Sequence, residues 1–218
     1  FLHKSLRSIL NQNYKNFEIL LYDDCSTDNS LKVIKKFKKK VKLINRANNN
    51  KKRSGPLNQI SGTLEAFRKS KGNIICLMDS DDRFLKNKLV HIDKFFKKNV
   101  NLNCVFNFPI AKKKQFMFKK RNKQYSVWPT IFPTSCISFR RSFFLNFIRH
   151  LKKNTFPYLE IDARITIFSK FFYNEYNLIN KNLTFYSYDN LSINANIRRF
   201  SKLWWIRREQ AYLYLKYI

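Results

Sequence analysis

Three carboxylates follow an apolar segment in the middle of the chain. Residues 74–78 form a run of strand length, and Asp79, Asp81 and Asp82 fall within the next four positions. A continuous apolar run with β-branched residues is typical of a strand buried on both faces. Carboxylates crowded at its end repel one another unless a proton or a cation lowers that cost, so the pattern indicates a divalent metal ion. The alternative is a polar turn before the next helix, with an aspartate that caps free amide groups.

A second predicted strand also ends in acidic residues. Residues 17–22 form this strand, and Asp23 and Asp24 follow it directly. Ligands of open α/β sheets bind at the carboxyl ends of the strands. We therefore expect the two acidic clusters to lie side by side at one edge of the sheet. Asp28 or Ser30 is expected to cap the helix that comes next.

A third acidic pair, Glu160 and Asp162, precedes a predicted helix in the second half of the chain. A helix amino end favours negative charge, so both residues could simply stabilise the helix. The pair could equally supply a carboxylate to a functional site, and the residues alone leave both interpretations open.

The elements that must position these acids alternate along the first hundred residues. Amphipathic helices are predicted near 2–10, 31–37, 56–71 and 86–96, and strands at 17–22, 41–44, 74–78 and 104–106. Such alternation predicts an α/β fold with a Rossmann-like, mostly parallel sheet flanked by helices.

The second half of the chain is expected to be less regular. We predict a strand at 136–139, helices at 141–151 and 162–171, two edge strands at 176–179 and 183–188, and a basic aromatic helix at the end. The rings of Trp204, Trp205 and Tyr212 are expected mainly in the core, with a role at a membrane surface or towards an acceptor as the alternative. The basic segment 112–123 is predicted to be a solvated loop or a flap over a phosphate-bearing ligand.

Composition places limits on the function. The 218 residues are 44% hydrophobic and 17% aromatic, which favours one folded domain over disorder. A net charge of +30 suits a phosphate-bearing substrate or an anionic surface. The lysines are spread through the chain among many Asn, Ile and Phe residues, a usage that genome composition can also produce, so no specific nucleic-acid partner is expected.

The cysteines and the apolar runs bear on location. Four cysteines stand far apart in sequence without a C-x-x-C pair, which favours a reducing compartment. No run of 18 apolar residues is present. We therefore expect a cytoplasmic protein, with peripheral association at the inner face of the membrane as a further expectation. The chain opens on Phe1 and already looks helical there, so it is expected to lack residues at its amino end.

Three segments together resemble the family 2 glycosyltransferases, which have a GT-A fold. They are residues 5–19 (SLRSILNQNYKNFEI), 23–30 (DDCSTDNS) and 72–82 (GNIICLMDSDD), in the order and approximate spacing of that family. The resemblance covers roughly the first hundred residues, and the rest matches in outline. It implies a nucleotide-sugar-binding half at 1–110, an acceptor-side half at 111–218, and a first strand that is missing ahead of Phe1.

The resemblance also implies roles for the acidic residues. Asp23 and Asp24 would bind the nucleotide base, and Asp79 would lie near the ribose as part of a D-x-D pair with Asp81. Asp81 would hold a Mg²⁺ or Mn²⁺ ion that bridges the diphosphate. Cys25 occupies a position that is usually glycine, where a positive φ would be strained.

Asp162, or otherwise Glu160, would be the catalytic base that takes the proton of the acceptor hydroxyl. The expected reaction is inverting transfer of a sugar, from UDP in the first instance, to a glycan or lipid-linked acceptor in cell-envelope polysaccharide synthesis. One alternative is a truncated or degenerate, non-catalytic basic binding module. A nucleotidyltransferase is a weaker alternative, because Gly55, Gly62 and Gly72 do not form a phosphate-binding loop.

Overall fold

The computed structural model describes residues 1–45, 54–111, 129–152, 155–187 and 197–218. Within these ranges the chain forms seven helices, seven strands and a 3₁₀-helix at Thr134–Cys136. The helices are α1 (Leu2–Leu10), α2 (Ser30–Lys35), α3 (Gly55–Lys69), α4 (Lys88–Lys98), α5 (Arg141–Arg149), α6 (Ile161–Phe171) and α7 (Lys202–Tyr217). The strands are β1 (Leu20–Asp23), β2 (Lys42–Asn45), β3 (Ile74–Cys76), β4 (Arg83–Phe84), β5 (Cys104–Ala111), β6 (Ile137–Arg140) and β7 (Asn177–Tyr186). The predicted basic segment 112–123 lies outside the described residues.

The strands form two sheets of mixed direction. β1 and β2 pair in parallel across the crossover helix α2, and the other five strands follow the order β3-β6-β5-β7-β4. In this second sheet only β5 and β7 are parallel, because β6 runs against both of its neighbours and β4 runs against β7. The α/β class is confirmed, but the prediction of a mostly parallel sheet is wrong for the five-stranded part.

The prediction of two edge strands near the end of the chain is also wrong. Residues 177–186 form one strand, β7, which lies between β5 and β4. The polar residues around Lys181 suggested a break, but the structure accommodates them in an irregular register. Asn107 on β5 pairs with Ile179, while the next residue, Phe108, pairs with Asn182. Residue 188 lies outside the described residues.

Other boundaries differ from the predictions by a few residues. β1 begins at Leu20 rather than at position 17, and β3 ends at Cys76. Leu77 still donates its backbone N–H to the Ile137 carbonyl (3.2 Å), after which the chain turns away from the sheet. Asp79 and Asp81 therefore lie in an irregular segment beyond the end of the strand. Asn29 is the N-cap of α2, while the carboxylate of Asp28 accepts the backbone N–H of Ser30 (2.9 Å).

The main core is rich in phenylalanine and joins β5, β6, α5 and α6. Phe139 stacks on Phe144 with 4.8 Å between ring centroids, and Phe143 meets Phe168 edge to face at 5.5 Å. The last helix does not contribute all its rings to this core. Tyr214 is buried, but Trp205 and Tyr212 are 56% and 47% exposed, contrary to the expectation of core packing for those two rings.

One face of α3 contacts the ends of both acidic strands. Gly62 lies against Tyr22 of β1, so closely that an added Cβ would stand 2.6 Å from Tyr22 Cδ1. One turn earlier, Gln59 Nε2 donates to Asp79 Oδ1 (3.3 Å). Residues three apart share a helix face, so α3 brings the tip of β1 and the segment after β3 to one region.

This contact can be tested with Gly62→Ala. Alanine favours a helix interior over glycine by about 1 kcal/mol, but here its Cβ would displace the Tyr22 ring. We expect Gly62→Ala to lower the free energy of unfolding in the native sequence and to raise it in a Tyr22→Ala background, measured by chemical denaturation. Equal stabilisation in both backgrounds would show that the helix does not press on the tip of β1.

Candidate active site

The segment after β3 is held by hydrogen bonds to two other parts of the chain. Asp79 donates its backbone N–H to Ser135 Oγ (2.8 Å), and its carboxylate accepts from Gln59. Asp82 donates its backbone N–H to the Asp79 carbonyl (3.2 Å), which closes the turn. The buried carboxylate of Asp82 accepts the Ser187 N–H at the end of β7 (2.8 Å). The acidic turn is therefore fixed to α3, to the 3₁₀-helix and to β7.

Four carboxylates influence one another across this region. Burial, together with the charges on Asp82 and Asp81, raises the pKa of Asp79 to about 7. Burial also raises the pKa of Asp82 to about 6. The pKa of Asp162 rises to about 8 through burial first, then the charge on Glu160, with a further contribution from Asp79. The α6 carboxylate and the acidic turn thus face the same space.

The charges on these carboxylates also affect Tyr186 at the end of β7. Burial raises the pKa of its phenol most, and the charges on four carboxylates add to the shift: Asp82, Asp162, Asp79 and Asp81. Electrostatic interactions of this size need short separations, even in a low-dielectric site. The end of β7 is therefore within electrostatic range of the same four acids.

Glu160 and Asp162 have different environments although they are two residues apart. Glu160 is the N-cap residue of α6 and is 4% exposed, with Oε2 in an ion pair with Arg207 of α7 (2.6 Å). Asp162 is partly exposed, and its Oδ1 accepts the backbone N–H of Ala163 (2.7 Å). The capping interpretation thus has support for Asp162, but this side chain also remains open to the shared space. The side chain of Glu160 is held in its ion pair with Arg207.

A buried arginine fixes the loop that leads into α6. Arg164 is fully buried, and burial lowers its pKa to about 10. Its guanidinium donates to four backbone carbonyls, at distances of 2.6–3.1 Å, on Leu151, Thr155, Phe156 and Leu159. Buried polar groups are costly unless they are paired, so this arginine and this loop conformation depend on each other. Arg164 consequently sets the position of Glu160 and Asp162.

A buried lysine likewise fixes the backbone beneath the acidic turn. Lys88 is fully buried, and its Nζ donates to the Ser135 carbonyl and to Thr184 Oγ1 (2.9 Å). The amine also lies 4.0 Å from the centre of the Phe84 ring. Burial lowers the pKa of Lys88, and the negative charge of Asp82 opposes that effect. Lys88 therefore ties α4, the 3₁₀-helix and β7 together where they support Asp79.

The end of β1 reaches the site through α3 rather than through a shared hydrogen-bond network. Asp23 is buried, and its two carboxylate oxygens lie 3.3 and 3.4 Å from the Ser26 N–H. Asp24 is exposed, and Cys25 follows with φ of +63°. The expected positive φ at Cys25 is confirmed, in a conformation that a glycine would adopt without strain.

Sequence reasoning assigned no role to three residues that position the acids: Gln59, Lys88 and Arg164. The sequence did offer one indication for Arg164, because it is the one basic residue within the mainly apolar run 163–168. The others stand in ordinary polar surroundings, because a lysine or glutamine inside a helix is usually solvated. Their roles depend on contacts between residues tens of positions apart.

The site has the chemistry of a cation-binding region without a complete set of ligands. Within the described ranges, no three His, Cys, Asp or Glu side chains are grouped closely enough to hold a metal ion by themselves. Burial raises the pKa of Asp79 most and the charges on Asp82 and Asp81 add to it, and a divalent cation would relieve that added repulsion. Carboxylate oxygens suit Mg²⁺ or Mn²⁺, which also take oxygens from bound phosphates and water.

An α/β fold with an acidic site beyond the ends of its strands is typical of proteins that bind nucleotides. The sequence matches the model of Glycosyl transferase family 2 over residues 1–198, so the chain belongs to that family.

Two relatives illustrate the similarity in sequence. An uncharacterized glycosyltransferase of Rickettsia bellii is 40% identical over 104 residues, which are 48% of this chain and 14% of that protein. The UDP-Glc:alpha-D-GlcNAc-diphosphoundecaprenol beta-1,3-glucosyltransferase WfaP of Escherichia coli is 33% identical over 88 residues, 40% of this chain and 33% of WfaP. The chain therefore spans a minor part of the length of these relatives.

Two solved structures share the fold. S. aureus TarS 1-349 in complex with UDP-GlcNAc has a TM-score of 0.62 at 17% identity, over 91% of this chain and 58% of that one. The mannosyltransferase PcManGT of Pyrobaculum calidifontis, in complex with GDP-Man and Mn²⁺, has a TM-score of 0.55 at 15% identity, over 83% and 50%. The expected GT-A fold is confirmed.

The role of Arg164 can be tested with Arg164→Lys. Lysine has three donors, so at least one of the four carbonyls loses its partner, and each unpaired group costs about 1–3 kcal/mol. We expect the free energy of unfolding to fall by about 2 kcal/mol or more, while Arg149→Lys on the exposed end of α5 leaves it unchanged within error. A fully stable Arg164→Lys protein would contradict the account of the loop.

Proposed function

We propose that this chain transfers a sugar from a nucleotide-sugar donor, with UDP as the expected carrier, to a glycan or lipid-linked acceptor. The proposed setting is synthesis of a cell-envelope polysaccharide. One observation carries the proposal: in a member of Glycosyl transferase family 2, the charge on Asp79 of the acidic turn reaches the candidate base Asp162, where it adds to burial and to the charge on Glu160 in raising the pKa. The UDP-GlcNAc named with TarS and the lipid-diphosphate acceptor named with WfaP add support.

The donor would bind at the acidic turn and the end of β1. Asp23 and Asp24 are proposed to contact the nucleotide base, and Asp79 the ribose. Asp81 would hold Mg²⁺ or Mn²⁺, with Asp79 close to that ion. When bound, a divalent ion stabilises the negative charge that develops on a diphosphate leaving group. Gln59 and Ser135 would keep Asp79 in place through the hydrogen bonds described above.

Asp162 is proposed as the catalytic base, in preference to Glu160. Its carboxylate would accept the proton of the acceptor hydroxyl while that oxygen forms a bond to the anomeric carbon. The bond from this carbon to the diphosphate oxygen breaks at the same time, and the nucleoside diphosphate leaves with the electron pair. A raised pKa suits a general base that works near neutral pH. Attack from the face opposite the leaving group would invert the anomeric centre.

Glu160 is proposed to act through its ion pair with Arg207. The carboxylate of Glu160 has its Oε2 atom 2.6 Å from the Arg207 guanidinium, so this oxygen is already occupied and is not open to an acceptor hydroxyl. Its charge raises the pKa of the neighbouring Asp162 instead.

The division into a donor half at 1–110 and an acceptor half at 111–218 stays a prediction, as does the strand expected ahead of Phe1. Two observations support such a strand. β1 and β3 each have one edge without a strand partner in the described residues, and both are only partly buried. Glu18, just before β1, reaches across to accept the backbone N–H of Gly72 just before β3 (3.0 Å). A further strand between them would join the two sheets.

The proposed location is the cytoplasmic side of the membrane. None of the helices in the described part of the chain has the length and hydrophobicity needed to cross a bilayer. All four cysteines are free thiols. Peripheral attachment to the bilayer would bring the enzyme to a lipid-linked acceptor.

The proposal can be tested by measuring the melting temperature with UDP and Mn²⁺. A ligand that binds only the folded state stabilises it by about 2.7 kcal/mol at a hundred times its Kd. We expect UDP and Mn²⁺ to raise the melting temperature of the native protein but not that of Asp81→Asn. Asp162→Asn should keep the shift but release no UDP from a panel of UDP-sugars and acceptors.

Glu65→Gln changes a partly exposed carboxylate on α3. It should keep both the melting-temperature shift and the release of UDP, and it serves as the control. Transfer that survives in Asp162→Asn would contradict the base assignment alone. No shift with UDP, GDP or other nucleotides would contradict donor binding and favour the basic binding module.

A further inference from the structure

An exposed group of aromatic rings stands at the amino end of α7. We call Phe200, Trp204 and Trp205 the aromatic cluster. Phe200 and Trp205 are 59% and 56% exposed. The ring centroids of Trp204 and Trp205 lie 4.6 Å apart, and that of Phe200 lies 5.1 and 6.3 Å from them. A packed set of large apolar rings in contact with water is the kind of patch that marks an interaction site.

The backbone holds the cluster in this exposed position at some cost. Phe200 has φ of +64°, in the left-handed region that a bulky side chain rarely adopts. Ser201 donates its N–H to the Arg198 carbonyl (3.1 Å), and its Oγ accepts the N–H of Trp204 (3.3 Å) as the cap of α7. The turn and the cap therefore fix the Phe200 ring beside the two indoles. Strain and exposure are both unfavourable in water.

Cationic groups surround the rings. The guanidinium of Arg199 lies 4.7 Å from the Phe200 ring centre, and that of Arg208 lies 3.2 Å from that of Trp204. A hollow of about 340 Å³ is lined by Ile197, Arg199, Trp204 and Arg208. Residues 197–218 contain six Lys and Arg residues and a single acid, Glu209. The surface thus combines apolar rings with positive charge.

We propose that the aromatic cluster binds the surface of an anionic phospholipid bilayer. Trp and other aromatic rings favour the interface between lipid headgroups and acyl chains. Arginines beside them would bind the lipid phosphates and strengthen the attachment. A neutral glycan could stack on the same rings, but it would not complement the positive charge of this segment or the net charge of +30.

The position of α7 gives this surface a role in the proposed reaction. Arg207, on the same helix, forms the buried ion pair with Glu160, two residues from Asp162. A bilayer that holds α7 would therefore keep the candidate base close to acceptors anchored in that bilayer. This last step rests on the proposed function, whereas binding of the cluster to lipid does not.

The test measures co-sedimentation of the whole chain with phosphatidylcholine vesicles that contain or lack phosphatidylglycerol. We expect binding to the anionic vesicles, weakened by salt, with a blue shift of tryptophan fluorescence. The double variant Phe200→Asn, Trp205→Ser should bind the anionic vesicles at least about tenfold more weakly than the native protein, which corresponds to about 1.4 kcal/mol. Asn tolerates a positive φ, so this variant should remain folded.

Leu145→Ser, which removes an exposed apolar side chain on α5 (49% exposed), should bind like the native protein and is the matched control. Unchanged binding of the double variant would overturn the proposal. So would failure of the native protein to bind anionic vesicles, even if the cluster bound a soluble glycan. Because no nucleotide is present, the result is independent of whether the chain transfers sugar.

Discussion

The main physical constraint on the structure is the cost of keeping partly buried carboxylates near one another beyond the ends of its strands. Asp79, Asp81 and Asp82 come from one turn, and Asp162 comes from a helix eighty residues later. Burial raises the pKa values of Asp79 and Asp162 to about 7 and 8, and the neighbouring negative charges add to the shift because they interact more strongly in a partly buried site than in water. A fold that keeps this arrangement must restrain every segment that contributes an acid.

Buried cations supply much of that restraint by binding backbone rather than the acids themselves. Lys88 binds the carbonyl of Ser135, whose hydroxyl holds the amide of Asp79. Arg164 binds four carbonyls of the loop before α6. Only Arg207 forms a direct ion pair within this group, with Glu160. The acidic turn and Asp162 are thus not neutralised by these cations. Their negative charge favours binding of a metal ion at the turn and of a proton at Asp162.

The sequence allowed the class of fold to be predicted, because it depends on local patterns. Apolar runs before the aspartates at 23 and 79 indicated β1 and β3, although β3 ends at Cys76 and the two strands lie in different sheets rather than side by side in one. The helices were found from their periodicity. Pairing direction was not predictable in the same way. β6 enters between β3 and β5, and an apolar run such as 137–139 is compatible with either direction.

The remaining differences have equally specific causes. Two strands were expected at 176–179 and 183–188, but an irregular register with β5 keeps residues 180–182 within the single strand β7. The choice between Asp162 and Glu160 depended on Arg207, which lies 47 residues after Glu160 in sequence. Trp205 was expected in the core because large rings are usually buried, and its exposure became evident only from the position of α7.

The central claim is that these acids surround one site for a nucleotide-sugar and its metal ion. Anomalous diffraction at the manganese edge from crystals with Mn²⁺ and UDP tests it most directly. We expect one manganese peak between the Asp81 carboxylate and the diphosphate, the base beside Asp23 and Asp24, and Asp162 facing the diphosphate. Manganese or UDP bound elsewhere, with the acidic turn empty, would contradict the account.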